Sequence, residues 1–226
     1  MNDSKQMGVT LVTFASSLFF DKAQTLEQIA LRAGWKCRIY TESDLAHISP
    51  GFFNRWEVSQ TRGFGYWSWK PVIIEDALLS IGANDVLMYI DAGDLFLPNI
   101  VDIYAHELAS SPYLFFQGAG KLSEYCKKEA LDFHKELKRR DFNSPMIEAG
   151  VLFWRNSEKS RLLLSKWRLL SENNKLIDDT KIVSQLPEFI DHRHDQSLLS
   201  ILCALNRIPL IRSEARRSFQ CNVGPI

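Results

Sequence analysis

Two rhythms of apolar and polar positions alternate along this chain. Short runs read as strands: "VTLVTFA" (9–15), of buried character, "KCRIYT" (36–41), the central "DVLMYI" (85–90) and "YLFFQG" (113–118). Helical periods separate them. "KAQTLEQIALRAG" (22–34) is amphipathic and closes on Gly34, and "VIIEDALLSIG" (72–82) opens behind Pro71 and ends at Gly82. A polar, aromatic loop lies between residues 41 and 62. Further on, the pattern predicts a charged helix over 121–140, a strand within "EAGVLFWRN" (148–156), helices over 157–173 and 194–207, and a last strand at "IPLIR" (208–212). The strand-helix-strand order predicts an α/β domain with a mostly parallel central sheet flanked by helices. Neither a repeat nor a low-complexity linker divides the chain, so 1–226 reads as one domain. In such sheets ligands bind at the carboxyl ends of the strands.

Composition narrows the function. Of 226 residues, 46% are hydrophobic, enough for a large core. Lysine plus arginine equals aspartate plus glutamate at 27 each, which argues against nucleic acid as a partner. Cys37, Cys126, Cys203 and Cys221 form no CxxC pair. That argues against zinc and favours a reduced, cytoplasmic chain, although spacing alone leaves disulfides open. The start, "MGVTLVTFASSLFF" after Lys5, superficially resembles a signal peptide. Thr10, Thr13, Ser16 and Ser17 interrupt it and no cleavage site follows, so a first strand is the better reading. No run reaches the roughly 18 apolar residues of a membrane span. The basic clusters "KELKRR" (135–140) and "EARR" (214–217) read as solvated faces, with a membrane surface or an acceptor phosphate as the competing reading.

Four segments carry candidate chemistry. "YIDAGDLF" (89–96) ends a buried strand in Asp91, Ala92, Gly93 and Asp94. An acidic turn is the plain reading. A haloacid-dehalogenase-type nucleophile would need Asp at position 93 and an earlier strand. A divalent cation held by one or two carboxylates and completed by substrate phosphates is the third reading, and Gly93 would then admit a bulky ligand. "RGFGYWSWKP" (62–71) packs Arg62, Tyr66, Trp67 and Lys70 among two glycines, which suits ring stacking beside phosphate-neutralising cations. "HRHDQS" (192–197) fails the HxHxDH pattern of binuclear hydrolases. It leaves His194, Asp195 and Gln196 at a helix start, able to bind sugar hydroxyls or a metal, or Asp195 merely to cap the helix. "EAG", with Glu148, Ala149 and Gly150, gains weight only from lying between the others.

In this order the segments resemble the GT-A nucleotide-sugar glycosyltransferases, most of all glycogenin-type enzymes and related surface-polysaccharide transferases, over roughly residues 8–210. The resemblance implies a GT-A fold and transfer of a sugar from a nucleotide-diphosphate donor to a carbohydrate or glycan-lipid acceptor. It implies Mn2+ or Mg2+ at Asp91. Gly93 stands where the second acid of the DxD motif would be, so Asp94 or His194 completes the metal shell. Thr13, Phe14 and Ala15 would contact the base, with Arg62, Tyr66, Lys70, Asp91, Ala92 and Gly93 on the donor. Glu148, Ala149, Gly150 and Trp67 would line the acceptor and sugar cleft, and Asp195 and Gln196 would serve the reaction centre. The implied place is the cytoplasm, with contact at the membrane face. Two other readings stand beside it: a non-catalytic or metal-independent sugar-nucleotide-binding domain, and a phosphatase using Asp91.

Overall fold

A computed structural model describes residues 7–58, 61–83, 85–212 and the backbone of 219–221. Its main strands are β1 (Val9–Phe14), β2 (Lys36–Tyr40), β3 (Val86–Ile90), β5 (Tyr113–Lys121) and β6 (Pro145–Arg155). Two short strands, β4 (Asp94–Phe96) and β7 (Phe219–Cys221), pair antiparallel in a separate ribbon. The main sheet has the order β2-β1-β3-β6-β5. Pairs β1–β2 and β1–β3 are parallel, whereas β6 is antiparallel to both β3 and β5. Four strands therefore run one way and β6 runs against them. This reversal matters for the site: with Ile90 opposite Val151, residues 148–150 emerge beside Asp91 at the carboxyl end of β3.

Among the described residues, five helices of seven or more residues accompany the sheet: α1 (Phe20–Arg32), α2 (Glu42–Ile48), α3 (Lys70–Ser80), α4 (Glu158–Ser171) and α5 (His194–Leu205). α1 buries Ala23, Leu26 and Ala30, one helical stripe, and packs on the β1–β2 side. α3 starts with Pro71 in its first turn and buries Val72, Ile73, Ile74, Ala77 and Leu78. Sealed on most sides, it needs no polar stripe. One core layer joins α3, α4 and α5 to Tyr89, Leu152, Trp154 and Trp167, and a second joins α1 to Leu11, Val86, Met88 and Phe153. Each such side chain contributes about 1.5–3 kcal/mol by leaving water.

Three expectations fail locally. The loop expected after residue 41 begins with α2, fixed by a capping box in which Thr41 and Asp44 satisfy one another's backbone N–H groups. The helix expected over 121–140 is broken into Leu122–Tyr125, Lys128–Phe133 and a tight turn at Arg139–Asn143. Cys126 is extended and buried, and Lys127 turns fully inward. Its ammonium donates to Asp178 Oδ1 (2.7 Å) and to the carbonyls of Asp178 (2.8 Å) and Thr180 (3.1 Å). These tertiary bonds override the local helical preference. "IPLIR" contributes a single bridge, Ile211 to Phe116 on β5. Among the described residues, no helix is long and apolar enough to cross a membrane. The "EARR" cluster lies outside the described residues.

Candidate active site

Lys70, the first residue of α3, is 2% exposed. Its Nζ lies 3.3 Å from Asp91 Oδ1 and 3.3 Å from Asp195 Oδ2, and it donates to the Ala149 carbonyl at 3.1 Å. Three distant segments thus converge on one ammonium. Burial alone would push Lys70 down, but Asp195 and Asp91 outweigh it and hold the group above its ordinary value. Asp195 is pushed up to about 6: burial raises it and the like charge of Asp91 adds, against the opposing pull of Lys70. Tyr89 donates its hydroxyl to Asp91 Oδ1, and burial with the Asp91 charge keeps that phenol protonated. Asp91 Oδ1 therefore has two donors.

The other oxygen, Oδ2, faces Gly150. A Cβ on that glycine would lie 3.2 Å from Asp91 Oδ2, 2.9 Å from Asp94 Oδ2 and 3.5 Å from Glu148 Oε1. Carboxylates from the β3 end and from β6 thus converge on a space that only glycine leaves vacant. Asp94 reaches it because its N–H closes a turn on the Asp91 carbonyl (2.9 Å).

Two cavities meet here. One, about 600 Å³, is lined by Phe14, Ser16, Leu18, Phe19, Val58, Gly63, Phe64, Trp67, Trp69 and residues 91–94. Phe14 stacks on Trp69 with centroids 4.2 Å apart. The other, about 180 Å³, is polar and holds Arg62, Trp67, Lys70, Asp91, Glu148, Ala149, Gly150, Arg193, His194, Asp195 and Gln196. Trp67 and Asp91 belong to both and mark the junction. An aromatic chamber opening onto a charged one suits a ligand with a flat ring at one end and anionic and hydroxylated groups at the other.

Trp67 reaches the junction through an unusual backbone. Five consecutive residues, Gly63, Phe64, Gly65, Tyr66 and Trp67, have left-handed φ values of 57°, 56°, 88°, 57° and 55°. For a residue with a Cβ this conformation costs roughly 1–2 kcal/mol. The glycines also make room: a Cβ on Gly63 would fall 2.1 Å from the Trp67 ring, and one on Gly65 2.9 Å from Phe52 and Trp56. Tyr66 and Trp67 lie against His194 at 4.8 and 5.7 Å.

Of the residues singled out in the sequence, Arg62, Trp67, Lys70, Asp91, Glu148, Ala149, Gly150, His194, Asp195 and Gln196 line the polar cavity, and Phe14, Ala92, Gly93 and Asp94 line the aromatic one. Thr13 and Ala15 are buried, Tyr66 is half-buried, and none of the three lines either cavity. Arg62 pairs with Asp191 (3.2 Å) and Asp179 (3.7 Å) across the chain. Lys70 is a buried bridge rather than a solvated helix-start cation. Asp195 is the second residue of α5, with Arg193 at the cap position. His194 gives its Nδ1–H to the Ile177 carbonyl (2.7 Å) and turns Nε2 to Asp179 (3.7 Å). Among the described residues, no three His, Cys, Asp or Glu side chains group as a metal site. Sequence reasoning missed Tyr89 and Arg193, although both stood inside quoted segments. Arg193 lies over the Tyr125 ring at 3.6 Å. It also missed Asp179 and Asp191, which no motif marks.

No family model matches the sequence, and no curated protein matches it. Solved structures do resemble it. A glycosyltransferase involved in glycosylation of the major capsid of PBCV-1 is 13% identical over 96% of both chains, with a TM-score of 0.51. Mouse xyloside xylosyltransferase 1, in its apo form, is 12% identical over 91% of this chain and 84% of its own, at 0.48. Galactosyltransferase LgtC, solved with donor and acceptor sugar analogs, is 11% identical over 92% and 74%, at 0.43. The full-length likeness to the first shows that this chain has the GT-A fold.

Proposed function

We propose that this GT-A domain transfers a glycosyl group from a nucleoside-diphosphate sugar to a carbohydrate or glycan-lipid acceptor. The observation that carries the reading is the meeting of the aromatic and polar cavities at Asp91, with Lys70 bridging Asp91 to Asp195. The aromatic chamber takes the nucleoside, the 91–94 turn takes the diphosphate, and the polar chamber takes the sugar and the attacking hydroxyl. Phe14, rather than Thr13 or Ala15, is then the base contact from β1.

A divalent cation, Mn2+ or Mg2+, fits the carboxylates around Gly150. Asp91 Oδ2 and Asp94 Oδ2 face one vacant space, and such ions are commonly held by one or two carboxylates plus substrate phosphates. When bound, the ion would supply Lewis-acid stabilisation of charge on the departing diphosphate. Lys70 and Tyr89 fix Asp91 from its other oxygen, so the carboxylate is preorganised before donor arrives. Asp195, ionised above about pH 6 and buried beside Lys70, would lend its charge to stabilise positive character at the anomeric carbon. Gln196 is locked by donating to the Ile147 carbonyl at 2.6 Å, which fixes the start of α5 against β6.

The test is a panel of UDP-glucose, UDP-galactose, UDP-N-acetylglucosamine, GDP-mannose and CMP-sialic acid, each with Mn2+ or with chelator. The first four are expected to include a donor whose nucleoside diphosphate is released and stimulated by metal. Binding without release from any donor, or hydrolysis of generic phosphate esters instead, would reject the transferase reading.

A further inference from the structure

We propose that His194 is a positioning residue, which aims Asp195 at Lys70 through a left-handed turn at the first residue of α5. The inference rests on the reading above, in which Asp195 serves the reaction. His194 has φ 46° and is 1% exposed. Left-handed backbone is uphill for any residue with a Cβ and persists where the surroundings over-determine it. Here several groups do so. The Ile177 carbonyl accepts from Nδ1–H, which fixes the tautomer and leaves Nε2 unprotonated. Tyr66 and Trp67 cover the ring from the left-handed run 63–67. His192 meets it edge-on at 5.3 Å, itself held by the Lys127 N–H and the Leu176 carbonyl.

The consequence falls on the next residue. A left-handed residue turns the chain sharply, so the direction of the Asp195 side chain is set at position 194. The Asp195 main chain is then fastened behind it: Trp167 donates its indole N–H to the Asp195 carbonyl at 3.0 Å. With both constraints the carboxylate reaches Lys70 at 3.3 Å. Metal ligation through Nε2 is the alternative role for this histidine, but among the described residues no three His, Cys, Asp or Glu side chains group as a metal site. Simple space filling is the other alternative. It needs neither the left-handed backbone nor a donated hydrogen bond.

Three substitutions separate these roles. His194→Ala keeps a Cβ in the left-handed region and removes the ring. His194→Gly relaxes the backbone and removes the ring. His194→Asn tolerates the left-handed region and can still donate to the Ile177 carbonyl. Crystal structures of the variants measure the Lys70 Nζ to Asp195 Oδ2 distance. It is expected to exceed 4 Å in His194→Ala and His194→Gly and to stay within 4 Å in His194→Asn. With the best donor of the panel, kcat is expected to fall at least tenfold in the first two, with the donor KM within about twofold, and to recover to within about threefold of wild type in His194→Asn. A folded His194→Gly that keeps both the distance and kcat overturns the proposal, as does a His194→Asn protein in which Lys70 and Asp195 have moved more than 4 Å apart. Should His194→Ala fail to fold, the Gly and Asn variants still decide. Wild-type turnover in Asp195→Asn would remove Asp195 from the reaction, and the measured distance would still judge His194.

Discussion

Replacing Lys70 with methionine keeps the length of the side chain and removes the charge that joins Asp91 to Asp195. Each carboxylate lies 3.3 Å from Nζ, where one pair at an effective dielectric of 20 is worth about 5 kcal/mol. Both do not count fully. The Asp91 side chain is 37% exposed and water screens it, whereas that of Asp195 is 5% exposed. The penalty therefore falls on Asp195, as the loss of one partner from a buried pair, about 3–5 kcal/mol. Its pH dependence follows from the sign of the shift. Asp195 titrates at about 6 when folded and at 3.8 ordinarily, so the folded state holds the proton more tightly. Its stability contribution is greatest below 3.8 and declines as pH rises towards 6. Without Lys70 the carboxyl rises further and the decline deepens. Wild type and Lys70→Met should thus differ by about 3–5 kcal/mol in urea unfolding at pH 8 and by clearly less at pH 5. In a chain of this size that is about 2–4 °C of Tm per kcal/mol. Adding Asp195→Asn should restore most of the loss at pH 8. A gap under about 1 kcal/mol at pH 8, or an equal gap at both pH values, would refute the bridge.

Three further outcomes concern the chemistry. In Asp195→Asn, kcat should fall about 10²-fold, or about 2.7 kcal/mol of barrier, with the donor KM nearly unchanged. The wild-type rate should also rise with pH through a limb near 6 as Asp195 ionises, and a limb that survives in the Asn variant would assign it to another group. Gly150→Ala would set a Cβ 2.9 Å from Asp94 Oδ2 and 3.2 Å from Asp91 Oδ2. Half-maximal stimulation should then need at least tenfold more Mn2+, with Tm within a few degrees of wild type, and an unchanged Mn2+ titration would take the metal away from these carboxylates.

The elements that carry local signals were readable from the chain. β1 and β3 are buried apolar runs, β2 is a shorter mixed one, and α3 carries Pro71 in its first turn because proline suits that place. α2 carried a legible signal, Thr41 with Asp44 three residues on, that the surrounding aromatics obscured. The break at Cys126 and Lys127 was not legible. Its cause is Asp178 and Thr180, some 50 residues away, and no glycine or proline marks it. The same distinction runs through the site. Asp91, Lys70 and Asp195 were found by residue type and order, but their joining into one bridge depends on β6 lying antiparallel beside β3, which no local pattern encodes. Arg62 was read as a phosphate cation because Asp179 and Asp191 lie more than 100 residues downstream. The left-handed turn at His194 was not legible either, because sequence reports a side chain and not the sign of φ.

The reversed strand also governs how the molecule is made. While a ribosome has delivered only the first 140 residues, β1, β2 and β3 can assemble, and β5 has no neighbour to join. β3, buried along its whole length in the finished protein, then shows one bare edge to any passing strand. β6 arrives last of the five, fills the gap and links both parts at once. The same event delivers the Ala149 carbonyl to Lys70 and Gly150 to Asp91. A nascent chain stalled before β6 is therefore prone to aggregate, and its site still waits for Asp195 on the later α5.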